Sequence, residues 1–71
     1  MTKSFSTPHS SNVDSVEFEE QVNQLVVTFK DGASYVVHDA DSALYDAFSR
    51  AASPGRFYHT KIKDLYRIEK V

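Results

Sequence analysis

The 71-residue sequence contains no cysteine or tryptophan, only two glycines and two prolines, and no long apolar run. Without cysteine the chain can form neither a disulfide nor a thiolate zinc site, which suits a reducing compartment. No segment approaches the roughly 20 consecutive apolar residues that cross a bilayer. The first residues also lack the apolar core of a secretory signal. We therefore expect a cytoplasmic protein that does not enter a membrane.

A chain of this length has room for one domain, and its stability must come from apolar packing. Five phenylalanines and four tyrosines supply a core that is generous for the length. Residues 1–11 are rich in Ser and Thr and show no periodicity. We predict a disordered tail over residues 1–11 and a single domain over residues 12–71.

Residues 16–19 in the segment 13–19 alternate apolar and polar side chains, as a half-buried strand does. The segments 25–29 and 34–38 are rich in β-branched and aromatic residues, which also indicates strands. Asp31-Gly32 between the second and third strands predicts a two-residue type I′ hairpin turn, in which both residues have positive φ. Asp39 and Asp41 can cap a following helix. This helix is predicted to end near Ser53. Its predicted core stripe consists of Ala43, Leu44, Ala47, Phe48 and Ala51.

Ser53-Pro54 can open a second, short helix. Its predicted inward side chains are Phe57, Tyr58, Ile62 and Leu65. Residues 65–71 then read as a last strand. The expected fold is α+β: an antiparallel three-stranded meander, a helix, a short second helix and a fourth strand, with the helices on one face of the sheet. The fourth strand can pair antiparallel with the first or the third strand, and we favour the first.

Charge is distributed unevenly along the chain. Residues 1–46 carry two basic and eight acidic side chains, a net −6, whereas residues 47–71 carry six basic and two acidic ones, a net +4. Such an asymmetry indicates either a partner surface or two halves that attract each other across the fold.

The usual catalytic and cofactor patterns are missing. The two glycines do not form a phosphate-binding loop. The three histidines, His9, His38 and His59, do not have metal-ligand spacing, and we expect His38 to be an exposed strand-end residue. Glu19-Glu20 falls in a predicted turn, where solvated charge is the ordinary interpretation. We expect no enzyme activity, no metal and no small-molecule cofactor.

The C-terminal basic region is the candidate nucleic-acid-binding surface, formed by Arg56, Tyr58, Lys61, Lys63 and Arg67. The cations would contact phosphates, and Tyr58 could stack on a base. The competing interpretation is an ordinary solvated helix face that pairs with Glu17 and Glu19. Tyr58 and Tyr66 fall on apolar stripes, which favours core positions for their rings.

The sequence also resembles the KTSC domain, a family named after a domain at the C-terminus of some lysyl-tRNA synthetases and also found as free-standing small bacterial proteins. The resemblance covers residues 10–71. It is carried by Ser10-Ser11-Asn12-Val13, Val16-Glu17-Phe18, residues 25–29, Gly32, Tyr35, the predicted helix at 39–51, Ser53-Pro54-Gly55-Arg56-Phe57-Tyr58, Ile62 and Tyr66. The family's central Tyr-x-Tyr appears here as Tyr35-Val36-Val37, which favours a packing role for position 37. The synthetase context implies RNA binding.

Two functions follow as hypotheses. The first is a non-catalytic module that binds nucleic acid, with RNA as the expected partner, through the basic region. The alternative is a protein-interaction or small structural module, which could form a homodimer through an unpaired sheet edge.

Overall fold

Five antiparallel strands, two helices and a π-helical turn form the part of the chain that the computed structural model describes, residues 2–7, 10 and 12–71. The strands are β1 Thr2–Ser6, β2 Val13–Glu19, β3 Gln24–Phe29, β4 Ser34–Val37 and β5 Ile68–Lys70. The helices are α1 Ser42–Ser49 and α2 Pro54–Phe57, and α2 continues directly into the π-helical turn Tyr58–Ile62. None of the helices in the described ranges has the length and apolar character to span a membrane.

The first strand, β1, corrects the prediction of a disordered tail. Thr2–Ser6 pairs antiparallel with β2, with Phe5 opposite Val16. The Phe5 ring lies 5.5 Å from that of Tyr45 and 5.8 Å from that of Phe48. One aromatic anchor and a backbone ladder therefore hold a segment whose composition alone indicates disorder. The remaining residues of the predicted tail include Met1, Pro8, His9 and Ser11, which lie outside the described residues.

The sheet order is β1-β2-β3-β4-β5, and each strand pairs antiparallel with its neighbour. The last strand therefore pairs with β4, and the expectation that it would pair with the strand at 13–19 is wrong. The reason is that β1 already occupies the outer edge of β2. The backbone pairing of β4 with β5 includes Tyr35 opposite Lys70. It is extended at both ends by hydrogen bonds from the His38 N–H to the Arg67 carbonyl and from the Val71 N–H to the Ser34 carbonyl.

The hairpin between β3 and β4 forms where the sequence predicts it, but its turn is different. Of the two residues predicted to have positive φ, Gly32 has it (94°) and Asp31 does not. The Gly32 N–H donates to the Phe29 carbonyl and the Phe29 N–H donates to the Ala33 carbonyl, which describes a three-residue loop rather than a type I′ turn. The Asp31 carboxylate accepts a bond from the Ala33 N–H at 2.9 Å, and this local bond favours negative φ at Asp31.

Helix α1 covers the inner face of the sheet with a stripe rotated from the predicted one. Asp41 is the N-cap, as expected, and its Oδ1 accepts from the Leu44 N–H at 2.9 Å. Tyr45 and Phe48 are buried, whereas Ala43 and Ala47 are exposed. A tyrosine ring removes far more apolar surface from water than a methyl group, so the helix turns its aromatic side inward. The Tyr45 ring stacks on that of Phe18 at 5.5 Å.

The core is one cluster beneath the helices. Its buried members from the sheet include the predicted Val16, Phe18 and Val27, while Tyr35 is half-buried. In α2, Pro54 occupies the first turn as predicted, and Gly55 is buried. A Cβ atom at position 55 would lie only 3.0 Å from Asn12 Nδ2, so a larger residue would force the two segments apart. The absence of a side chain thus allows α2 to approach the start of β2.

The π-helical turn explains the one inward residue that was wrongly predicted in this segment. Tyr58 and Ile62 are buried as expected, but Leu65 is 70% exposed. The Lys63 N–H donates to the Tyr58 carbonyl at 2.9 Å, five residues back. This spacing inserts one residue relative to an α-helix and rotates the following residues off the apolar stripe.

Candidate binding site

A pocket of about 380 Å³ opens between the β3–β4 loop and the π-helical turn. Its walls come from three separate parts of the chain: the start of β2, the hairpin and the segment after α2. The lining residues are Asn12, Phe29, Lys30, Asp31, Ala33, Tyr35, Tyr58, His59 and Lys63. Its volume falls within the range typical of small-molecule sites.

The apolar wall of the pocket is a cluster of three aromatic rings. The Phe29 ring meets that of Tyr58 at 5.1 Å and that of Tyr35 at 5.5 Å, both edge to face, and Tyr35 and Tyr58 are 6.3 Å apart. Such packing holds each ring in one orientation. The wall is therefore formed before any ligand arrives.

Tyr58 is the residue that joins this wall to the core. It is only 5% exposed, and its hydroxyl makes no hydrogen bond to the described residues. Burial, followed by electrostatic repulsion from Tyr35, raises the pKa of Tyr58 above its ordinary value. The hydroxyl therefore keeps its proton and remains a hydrogen-bond donor at the pocket wall at neutral pH.

The polar rim of the pocket carries more positive than negative charge. Lys30 and Lys63 line it together with His59, and Asp31 is the one acid among the lining residues. Asp31 already accepts a bond from the Ala33 N–H, and the backbone N–H of Lys30 is bonded to the Asn12 carbonyl at 2.8 Å. The hydrogen bond that closes the π-helical turn fixes the backbone of Lys63 beside Tyr58.

The opposite face of the sheet, which carries no helix, has a different character. Cross-strand pairing aligns Ser4, Glu17, Val26, Val36 and Glu69 in one row of that face. A second row holds Glu19, whose carboxylate accepts a bond from the Thr2 hydroxyl at 2.7 Å. The three glutamates on this open face, Glu17, Glu19 and Glu69, disfavour the approach of polyanions.

A family model for the KTSC domain matches residues 9–66. The chain belongs to the KTSC domain family. A crystal structure of a KTSC domain protein from Yersinia pestis is similar over 100% of this chain and 99% of that one, with a TM-score of 0.86 and 22% sequence identity. That likeness shows the fold. No match was found among the curated proteins.

Within this KTSC domain, the structure places Val37, for which the sequence predicts a packing role, in the core. Val37 is fully buried and pairs with Leu25 and Ile68 on the inner face of the sheet. The packing role expected for this position agrees with its environment.

The candidate nucleic-acid-binding residues divide into two groups. Arg56, Lys61, Lys63 and Arg67 are exposed, whereas the Tyr58 ring is buried and cannot serve as an open stacking platform. Only Tyr58 and Lys63 of this set line the pocket. Within the described part of the chain, none of the four cations forms an ion pair, whereas Lys3 pairs with Glu20 and His38 with Glu69.

His38 is less exposed than the sequence suggests. Its Nε2 lies 2.6 Å from Glu69 Oε1 without forming a well-directed hydrogen bond, and its Nδ1 is 3.3 Å from Gln24 Nε2. The side chain is 14% exposed because β5 and its carboxylate cover it. Among the residues that the structure describes, no group of three His, Cys, Asp or Glu side chains could hold a metal ion; His9 lies outside them.

Sequence reasoning did not find the pocket itself. Asn12, the hairpin residues and His59 meet only through the fold, because they lie far apart along the chain. The signals in the sequence were weak. They were an aromatic residue at the end of one strand, Phe29, and a basic residue five positions after Tyr58.

Proposed function

We propose that this KTSC domain is a non-catalytic, cytoplasmic module that binds single-stranded RNA through Arg56, Lys61, Lys63 and Arg67. The observation that carries the proposal is that these four cations are exposed and have no carboxylate partner among the described residues. Arg56, Lys61 and Lys63 also belong to α2, the π-helical turn and its C-cap, while Glu17, Glu19 and Glu69 line the opposite, open face of the sheet. Arg67 directly precedes β5, and its carbonyl continues the β4–β5 ladder.

This separation argues against internal neutralisation of the basic region. Had Glu17 and Glu19 paired with these cations, the positive charge would be absorbed within the fold. Instead, the cations of α2 and the π-helical turn remain available to phosphates, although Asp64 follows Lys63 directly, and release of counterions from the RNA would supply the binding free energy. Tyr58 contributes as a fixed part of the adjoining pocket rather than as an exposed stacking ring.

The test is a fluorescence anisotropy titration of a labelled single-stranded RNA at several salt concentrations. Each phosphate contact on a single strand contributes about −0.7 to the slope of log K against log salt concentration, so four contacts give about −3. Arg56→Gln should reduce the magnitude of that slope by one contact. Arg50→Gln, which removes the same charge from the end of α1, is the matched control and should leave it unchanged.

Two outcomes would contradict the proposal. One is the absence of detectable binding at low salt. The other is an equal effect of Arg56→Gln and Arg50→Gln, because net charge alone, rather than this surface, would then govern the affinity.

A second candidate is self-association or binding of another protein through the edge of the sheet. The outer edge of β1 pairs with no other strand in the described residues, so its backbone groups can accept an added strand. Light scattering on the purified protein distinguishes the two: a monomer at high protein concentration counts against a homodimer, and deletion of residues 2–6 should abolish any dimer that forms.

A further inference from the structure

We infer that the pocket between the β3–β4 loop and the π-helical turn binds one nucleotide unit, a planar aromatic base that carries a phosphate. This inference deepens the proposed function and rests on it for the source of the ligand, which is either a free mononucleotide or one residue of an RNA strand. The pocket chemistry itself is independent of the basic surface.

The first step is the match between the pocket and a flat ring. Phe29, Tyr35 and Tyr58 form a packed wall whose rings lie between 5.1 and 6.3 Å from one another. A base would stack on the half-buried Phe29 and Tyr35 rings, which the buried Tyr58 ring packs against. Such stacking is tolerant of base identity because every base has a π-face. A wall held by edge-to-face contacts requires no rearrangement on binding, which reduces the entropic cost of association.

The second step concerns polar groups that the fold itself does not use. Tyr58 lines the pocket, and its hydroxyl has no hydrogen-bond partner among the described residues. A base presents carbonyl and ring-nitrogen acceptors along its edge, and such an acceptor would satisfy this donor. The side-chain amide of Asn12, which lines the same pocket, can both donate and accept.

The third step is the position of the anion. Lys63 is exposed, has no ion pair among the described residues and lines the pocket next to His59. The hydrogen bond between its N–H and the Tyr58 carbonyl holds the backbone of Lys63 beside the aromatic wall. A phosphate attached to a base in the pocket is an anion that the Lys63 side chain can contact, whereas Asp31 in the same lining disfavours a second negative group.

The experiment follows backbone amide shifts of the ¹⁵N-labelled protein during titration with adenosine 5′-monophosphate, adenosine and inorganic phosphate. We expect shifts that concentrate at Ala33, Tyr58 and Lys63, with the monophosphate bound about tenfold more tightly than adenosine because the phosphate adds one charge-assisted contact. Lys63→Gln should remove that tenfold difference. Lys61→Gln, which loses the same charge outside the pocket, should preserve it.

A second variant tests the cavity rather than the charge. Ala33→Leu places a larger side chain at the pocket wall and should abolish the binding of adenosine and of its monophosphate alike, and thermal unfolding establishes that the variant is folded. The inference is overturned if the shifts spread over the whole surface, if Lys63→Gln and Lys61→Gln behave identically, or if folded Ala33→Leu binds as the parent does.

Titration with the RNA strand separates this inference from the proposed function. Binding of the monophosphate without salt-dependent binding of RNA supports the pocket and removes the proposed function. Salt-dependent RNA binding with no response to the monophosphate removes the pocket inference and leaves the proposed function standing. Displacement of the monophosphate by RNA, lost in Ala33→Leu, identifies a strand residue as the ligand.

Discussion

Replacement of Phe5 by alanine tests whether β1 is an integral part of the domain. Phe5 is half-buried and its ring contacts Tyr45 and Phe48. Truncation of a fully buried phenylalanine costs about 3–5 kcal/mol, so a half-buried one should cost about 2 kcal/mol. A chain of this length is expected to have a free energy of unfolding of about 4–10 kcal/mol, so the loss would be a large fraction of it.

The assay is urea denaturation followed by far-ultraviolet circular dichroism, with the same transition measured by heating. A loss of 2 kcal/mol corresponds to a fall in Tm of about 8–16 °C for a domain of this size. Ser4→Ala is the matched control, because Ser4 lies on the same strand but faces the open side opposite Glu17. We expect that control to remain within about 0.5 kcal/mol of the parent. Equal stability of the Phe5 and Ser4 variants would refute the docking of β1.

Three further predictions concern single features of the fold. Asp41→Ala should lower the free energy of unfolding by about 1 kcal/mol through loss of the N-cap bond to Leu44, whereas Asp41→Asn keeps an acceptor and most of the stability, as urea denaturation would measure. Gly32→Ala should cost about 1–2 kcal/mol in the same assay; no atom lies within 4 Å of the added Cβ, so the cost comes from the positive φ alone, and an unchanged stability would contradict that account. Because the folded state raises the pKa of Tyr58 above 10.0, its contribution to stability is present below about pH 10 and is lost as the pH rises through the higher folded-state pKa. Thermal melts across that alkaline range should show a shallower fall for Tyr58→Phe than for the control Tyr66→Phe.

The strands of the meander were predictable because period-two alternation reports directly on which side of a strand is buried. Val16, Phe18 and Val27 lie under the helices as expected. The same logic failed for β1, where only Phe5 is apolar and the neighbouring residues are Ser, Thr and Lys. An edge strand is ordered by backbone hydrogen bonds to its neighbour, and amino-acid composition gives no indication of those bonds.

The errors in the helical segment have a common cause. Periodicity identifies a set of apolar positions but does not weigh them by size, so the predicted stripe of α1 included three alanines and left out Tyr45, which is buried. Leu65 was misplaced because the prediction assumed α-helical spacing through a segment that contains a π-helical turn. The candidate basic residues were named from charge alone and stay a prediction. The pocket could not be predicted, since its lining joins residues 12, 29–35 and 58–63 only in three dimensions.

The strand order of the sheet has a kinetic consequence. Neighbours in β1-β2-β3-β4 are also neighbours along the chain, so these pairings close short loops and give the domain a low contact order, which favours fast folding. The join of β4 to β5 is the exception, because residues 38–67, which include both helices, separate the two strands along the chain. The three residues of β5 should therefore be the last to pair during folding and the first to exchange their amide hydrogens in the native state.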